Sequence, residues 1–305
     1  MKKHSRDLQI AGVKIRLASR QAMLPPDPTD AARLRRERFA DFFVPFRGRP
    51  DIVIDITVAK TVRPPRGRQL FSTVHYLQRE ENWRMHSARG GFAYYCPLRQ
   101  KHQTAFINKD FSRVRLTLEA KPDGQLLWTP ADIIYDFLQV LLIAFLARKK
   151  TGFIAHAAGI SYKGKGYLLA GKSGDGKSTM SRIWHKVRGA RVINDDRVAI
   201  IFRGGRPWLY TCPWHGEIDN YLAGRELPVP LEKIIILGRS KKNRAVPCAG
   251  ALAFTELYQR IFPSFWDREL LAAQSEMLAR AAASVPVFFA FLEKNPKAAA
   301  FVRGL

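Results

Sequence analysis

The chain has 305 residues, with 47% hydrophobic and 25% charged side chains, and its 51 Lys plus Arg against 26 Asp plus Glu give a formal net charge of +25. This balance excludes a disordered, collagenous or coiled-coil chain, and the length suits two domains or one large domain with an extension. The surplus is not a tail, since residues 1–150 carry 28 basic and 14 acidic side chains and the rest carry 23 and 12; it draws anions without choosing among nucleotides, acidic proteins, nucleic acid and lipid headgroups.

From the start, Met1-Lys2-Lys3-His4-Ser5-Arg6-Asp7 leads into no apolar stretch, so a secretory signal is not expected. Alternation of apolar and polar residues predicts strands at Leu8 to Leu17, Asp51 to Ala59, Leu70 to Leu77, Gly91 to Tyr95, Gln103 to Ile107 and Val114 to Glu119. Between the first two, Asp30 to Phe43 reads as a helix with Leu34, Phe39, Phe42 and Phe43 on one face beside Arg33, Arg35, Arg36 and Arg38, stopped by Pro45. Pro122-Asp123-Gly124 is a turn. Thr129, Pro130 and Asp132 then supply an N-cap, a first helical residue and an acidic third position for a helix to about Arg148. Its apolar run, Ile133 to Ala147, is shorter than the roughly 20 residues a bilayer requires and contains Asp136 and Gln139, which marks a core helix. A boundary near the start of this helix divides a β-rich N-terminal domain over 1–128, a candidate substrate-binding module, from an α/β domain over 129–305.

In the second part, Phe153 to Tyr162, Lys163-Gly164-Lys165-Gly166 and Tyr167 to Ala170 read as a hairpin. A glycine-rich loop, a helix over Lys177 to Val187 and strands at Ala190 to Ile193, Arg197 to Phe202 and Pro207 to Tyr210 follow, with a turn at Gly204-Gly205. A strand at Lys233 to Leu237, helices near Ala251 to Ile261 and Arg268 to Ala283, a strand at Val285 to Leu292 and a short terminal helix complete the α/β pattern.

The glycine-rich loop carries the chemistry. Gly171-Lys172-Ser173-Gly174-Asp175-Gly176-Lys177-Ser178 satisfies G-x-x-x-x-G-K-[ST] between a predicted strand and a predicted helix. In such a loop, backbone amides from Gly171, Ser173, Gly174, Asp175, Gly176 and Thr179 are candidates to converge on phosphate oxygens at a helix N-terminus. Lys177 is expected to reach the β- and γ-phosphates and the Ser178 hydroxyl to sit on Mg²⁺. Asp175 is an awkward member, because a carboxylate repels phosphate unless it points outward or contacts the metal.

About twenty residues later, Asn194-Asp195-Asp196 stands at a strand end. Neighbours on a strand face opposite sides, so both carboxylates can address the phosphates only if the backbone turns there. One is expected to hold metal and the other to take a hydroxyl proton; Asp195 is assigned to the metal with Ser178, and Asp196 to the base. His156 lies in an apolar strand whose hairpin partner leads into the loop, so within reach of an aspartate it would tune that carboxylate or help place the metal.

His156-Ala157-Ala158-Gly159, the hairpin, Gly171 to Thr179 and Asn194-Asp195-Asp196, in this order, resemble the C-terminal catalytic domain of HPr kinase/phosphorylase and its relatives, which share a P-loop core with phosphoenolpyruvate carboxykinase. The match spans about residues 153 to 202. The resemblance implies that His156 is an active-site histidine, that Lys177 and Ser178 are phosphate and metal contacts, and that the aspartate pair is metal-binding and catalytic. Asp175 stands where those kinases carry a hydrophobic residue, and their C-terminal signature for phosphorolysis is not found, so the resemblance favours kinase over phosphorylase. The N-terminal half does not look like theirs, and the pattern is similar to HPr-kinase-related proteins found near peptide-modification systems.

Thr211-Cys212-Pro213-Trp214-His215-Gly216-Glu217 reads either as a loop closing over the substrates through His215 and Glu217 or as a loop anchored by a buried tryptophan. Arg197, Arg239 and Arg244 are candidates for stabilising phosphate charge. Cys96, Cys212 and Cys248 stand far apart, without metal-ligand spacing, which fits a reducing cytoplasm. The expected activity is transfer of the ATP γ-phosphoryl group to a hydroxyl on a protein, peptide or small molecule, with Mg²⁺. The alternatives are a carboxykinase-like enzyme and a nucleotide-gated module docking an acidic partner or nucleic acid, the last not favoured.

Overall fold

The structure, a computed structural model, describes residues 4–20, 39–74, 81–97, 102–120, 133–172, 174–216 and 228–305. It is a mixed α/β protein built on two eight-stranded sheets. Backbone proximity divides it into two compact units, one of residues 1–148 with 264–270 and the other of residues 149–263 with 271–305.

The first unit begins with β1 (His4–Ile10) and β2 (Val13–Ser19), then a short 3-10 turn (Phe39–Phe42), β3 (Ile52–Ala59), β4 (Gln69–Val74), β5 (Glu81–Ala88), β6 (Gly91–Cys96), β7 (Gln103–Asn108) and β8 (Arg113–Glu119). The strand expected over Leu8 to Leu17 is two strands. Ala11 and Gly12 both take positive φ, 52° and 80°, the backbone of a two-residue hairpin turn, which reverses the chain. The sheet runs β1-β2-β3-β8-β7-β6-β5-β4, with the β2–β3 and β3–β8 pairs parallel. Period-two alternation buries Leu8, Ile10, Ile15, Leu17, Ile52, Ile54, Leu116 and Leu118 on one face.

A wide π-helical turn (Ile133–Leu138) leads into α1 (Gln139–Arg148). This helix is grouped with the first unit, so the division falls after it and not at 128/129. The reason is packing: the Phe137 ring lies 5.1 Å from that of Tyr94, and Arg148 pairs with Glu269 at 2.7 Å. Val140 to Ala147 are buried, as a core helix requires, and among the described residues no helix is long and apolar enough to cross a membrane. The cap at Thr129 to Asp132, the turn at Pro122-Asp123-Gly124 and the Asp30 to Arg38 part of the basic helix lie outside the described residues.

The second unit contains β9 (Gly152–Tyr162), β10 (Lys165–Ala170), α2 (Lys177–His185), β11 (Ala190–Asn194), β12 (Arg197–Arg203), β13 (Arg206–Tyr210), β14 (Val229–Arg239), β15 (Arg244–Pro247), α3 (Gly250–Tyr258), α4 (Arg268–Ser284, its first turn grouped with the first unit), β16 (Val287–Leu292) and α5 (Lys297–Gly304). The short β15, which alternation does not reveal, is an edge strand on β16. Two long strands organise the sheet. β9 pairs with β12 through residues 152–156 and with β10 through 157–162, while β14 pairs with β13, β10 and β16 along its length. The β9, β10, β14, β13 and β12 pairings therefore close a ring.

Both faces of β10 are covered. Leu168 and Ala170 join one core with Leu257 of α3 and Met277 and Leu278 of α4; Tyr167 and Leu169 join another with Met180 and Trp184 of α2 and Val302 of α5. A strand covered on both sides reads as a continuous apolar run, as Tyr167 to Ala170 does. The consequence for chemistry is positional: the glycine-rich loop leaves the end of a strand held rigidly from both sides.

Candidate functional site

β10 ends at Ala170, and α2 begins at Lys177. Between them Gly174 and Gly176 take φ of +85° and +103°, values that residues with a β-carbon rarely adopt, so both glycines are required by the turn itself. Gly176 caps α2 without a side-chain hydrogen bond, which leaves first-turn amide groups of the helix without a side-chain acceptor at its cap. Ser178 and Thr179 sit half-buried on the first turn, while Ser173 lies outside the described residues.

Lys177 is only 8% exposed, and its ammonium donates to the carbonyls of Gly171 at 2.8 Å and Lys172 at 3.2 Å. Burial pushes its pKa down, the charges of Asp196 and Asp175 pull the other way, and Arg260 adds to the lowering; the net direction is down. The awkward Asp175 has a local role: its carboxylate accepts the Lys172 backbone N–H and so closes the loop on itself. Gly171 accommodates this contact, since a β-carbon there would lie 3.0 Å from that of Asp175.

The chain turns between β11 and β12, and Asn194 makes it turn. Its side-chain oxygen accepts the N–H groups of Asp196 and Arg197, both at 2.9 Å, while its amide donates to the carbonyls of Cys212 and Trp214, also at 2.9 Å. Fully buried and fully bonded, it closes the turn that carries Asp195 and Asp196.

The two aspartates then find different surroundings. Asp196 lies 2.9 Å from His156 Nδ1 and 3.3 Å from Arg197 Nη1. Burial pushes its pKa up, but the His156 hydrogen bond and the charges of Arg197, His156 and Lys177 outweigh burial and hold it below the usual carboxylate range. Asp195 is 3% exposed; Gly216 donates to its Oδ1 at 2.7 Å, and Oδ2 accepts no hydrogen bond among the described residues. Burial pushes its pKa up, and neither the Gly216 amide nor nearby His215 restores it. A β-carbon on Gly216 would sit 2.8 Å from Asp195 Oδ2, so a larger residue there would push the carboxylate aside.

The loop after β13 is anchored by its tryptophan, since Trp214 is fully buried and Asn194 holds its carbonyl; Glu217 lies outside the described residues. Cys212 is buried too, with its thiol pushed up to about 12 by burial, so it packs and does not react. Of the arginines, Arg197 reaches Asp196 and lies 5.3 Å from the Phe262 ring centre. Arg239 borders Gly174, with Nη2 3.6 Å from where a β-carbon there would stand. Arg244 is instead on β15, 4.2 Å from the centre of Phe291.

Arg260 joins the site without a signal in the sequence. Its backbone carbonyl accepts the His156 N–H at 2.7 Å, and its buried guanidinium pairs with Glu256 at 2.8 Å. No local motif marks it, because the segment after α3 meets β9 only through the tertiary fold. Asn194, by contrast, carries a usable signal: an asparagine at a strand end before two polar residues favours a side-chain-closed turn.

Compared with known proteins, the chain matches no family model and no curated protein.

Chemically, the site combines a buried cation, a carboxylate held ionised by a histidine and an arginine, and a carboxylate with one oxygen unsatisfied. Among the described residues, no three His, Cys, Asp or Glu side chains gather as a metal cage. A Mg²⁺ ion does not need one, since it is commonly held by one or two carboxylates together with substrate phosphates and water. The buried, unbonded Oδ2 of Asp195 is the kind of hard oxygen such an ion takes.

Proposed function

We propose that the second unit is a P-loop phosphotransferase that moves the γ-phosphoryl group of ATP to a hydroxyl acceptor. The observation that carries this reading is that Asp196, paired with His156 at 2.9 Å, lies within the charge field of Lys177, which begins the helix after a strand and a glycine loop. The sequence resemblance to the HPr-kinase-like catalytic domain, carried by these same residues, agrees with this reading.

In this reading Lys177 exchanges the carbonyls of Gly171 and Lys172 for phosphate oxygens, and the loop amides supply further donors. Asp195 and Ser178 would hold Mg²⁺, which when bound would neutralise charge on the phosphates. Asp196 orients the acceptor hydroxyl and takes its proton as the new O–P bond forms and the bond from γ-phosphorus to the ADP oxygen breaks; ADP leaves with that electron pair. A carboxylate held below its ordinary pKa is a weak base, which suits a loose transition state that demands little of the nucleophile. His156 and Arg197 fix its orientation.

The test is transfer of label from γ-labelled ATP, with Mg²⁺, to candidate hydroxyl-bearing proteins and peptides. Lys177→Ala is expected to lose ATP binding and transfer together, by about 100-fold or more in transfer. Full transfer by that variant would remove the proposal.

A further inference from the structure

In the first unit, the face opposite the buried isoleucines and leucines forms a groove of about 830 Å³. Its walls include Arg20, Arg63 and Arg115, and its hydroxyls include Thr57, Thr104 and Thr117. A second hollow of about 530 Å³ shares Ala18 with it and adds Arg16, Arg49 and Arg113. Asp7 pairs with Arg16 at 2.7 Å, whereas Arg20, Arg63, Arg113 and Arg115 are exposed. Among the described residues, Asp55 is the one carboxylate lining the two hollows.

We infer that this sheet face binds an acidic peptide segment of a partner protein, a role that goes beyond phosphoryl transfer and does not depend on it. Guanidinium groups engage carboxylates through paired hydrogen bonds, and several along one groove match the repeating charge of an acidic stretch. Two observations favour peptide over nucleic acid. The Phe106 ring, the aromatic surface among the groove's described residues, is covered by Arg115 at 5.1 Å and so offers no free platform for base stacking. Thr104 spends its hydroxyl proton on the Tyr94 carbonyl at 3.0 Å, so towards a ligand it offers lone pairs, which peptide N–H groups can use and phosphodiester oxygens cannot.

The experiment is fluorescence anisotropy on the full chain with a fluorescein-labelled Glu-Ser repeat peptide, its Lys-Ser counterpart and a single-stranded oligo-uridine of matched charge. The Glu-Ser peptide is expected to bind and the Lys-Ser peptide not to, with Arg20→Glu/Arg63→Glu weakening the former about tenfold or more. Both side chains are exposed, so the fold is expected to survive, and an unchanged melting temperature checks this. Arg188→Glu/Arg206→Glu carries the same change of net charge at exposed positions of the second unit and is expected to keep affinity within about twofold. Lys177→Ala is expected to bind the peptide normally, which separates this result from the phosphotransfer reading. Equal loss in both charge-reversed pairs, tighter binding of oligo-uridine, or no binding of the Glu-Ser peptide at low ionic strength overturns the inference.

Discussion

In the first unit the sheet buries one face and leaves Arg20, Arg63 and Arg115 exposed on the other, whereas in the second both sheet faces are covered and Lys177, Asp195 and Arg260 are buried. Both units are strand-rich and basic, yet the same residue types do different work in them. An exposed arginine costs little, because water solvates it; removing one changes encounter with anions more than stability. A buried charge opposes folding unless partners compensate it, so removing one changes both stability and whatever chemistry it serves. The contrast therefore predicts large, separable effects in the second unit and graded, salt-sensitive ones in the first.

The largest effect is expected at Asp196. On the proposed reading, Asp196→Asn removes the proton acceptor and is predicted to lower transfer by about 10²- to 10⁴-fold while sparing ATP binding, measured by single-turnover kinetics beside equilibrium binding. Unimpaired transfer would return Asp196 to a structural role. The same change alters the pH profile of stability. The folded pKa of Asp196 lies below its unfolded value, so its contribution is present above the unfolded pKa and lost as pH falls through the folded one. Wild type is expected to lose this increment in acid, and Asp196→Asn to lack it throughout.

Asn194→Ala comes next. It leaves two backbone N–H groups and two carbonyls without their partner, and about 2 to 4 kcal/mol of stability is expected to go, read from urea unfolding. A variant as stable as wild type would mean that the turn closes without this side chain.

The smallest effect has the opposite sign. The raised pKa of Asp195 means that folding disfavours its charge, so at neutral pH this group opposes stability, and the opposition fades as pH falls through the folded pKa. Asp195→Asn keeps an acceptor for Gly216 and removes the charge; it is expected to raise stability by about 1 kcal/mol, read from thermal unfolding. A lower melting temperature would show that the carboxylate is compensated after all.

Much of the second unit was legible because its signals are local. The hairpin Phe153 to Ala170 reads from two apolar stretches around a glycine turn, and the loop from its spacing. The Ala11-Gly12 turn was harder, since alanine at positive φ is uncommon and the strands on either side continue one apolar pattern. The core character of the helix at Gln139 to Arg148 was legible, but its allegiance to the first unit was not, because allegiance rests on the Tyr94 and Glu269 contacts, which no local pattern encodes.

The amino-acid order by itself determined which groups were present and roughly where each element began: the glycines that let the loop turn, the lysine at a helix start, the paired carboxylates at a strand end. Only the tertiary structure decided that Asp196 stands against His156 while Asp195 keeps an oxygen unsatisfied, and that the Arg260 carbonyl meets the His156 amide. The physical reason is range. Backbone conformation responds to neighbours a few residues away, whereas ionisation and partnering respond to whatever the fold brings within a few ångströms, often from far along the chain.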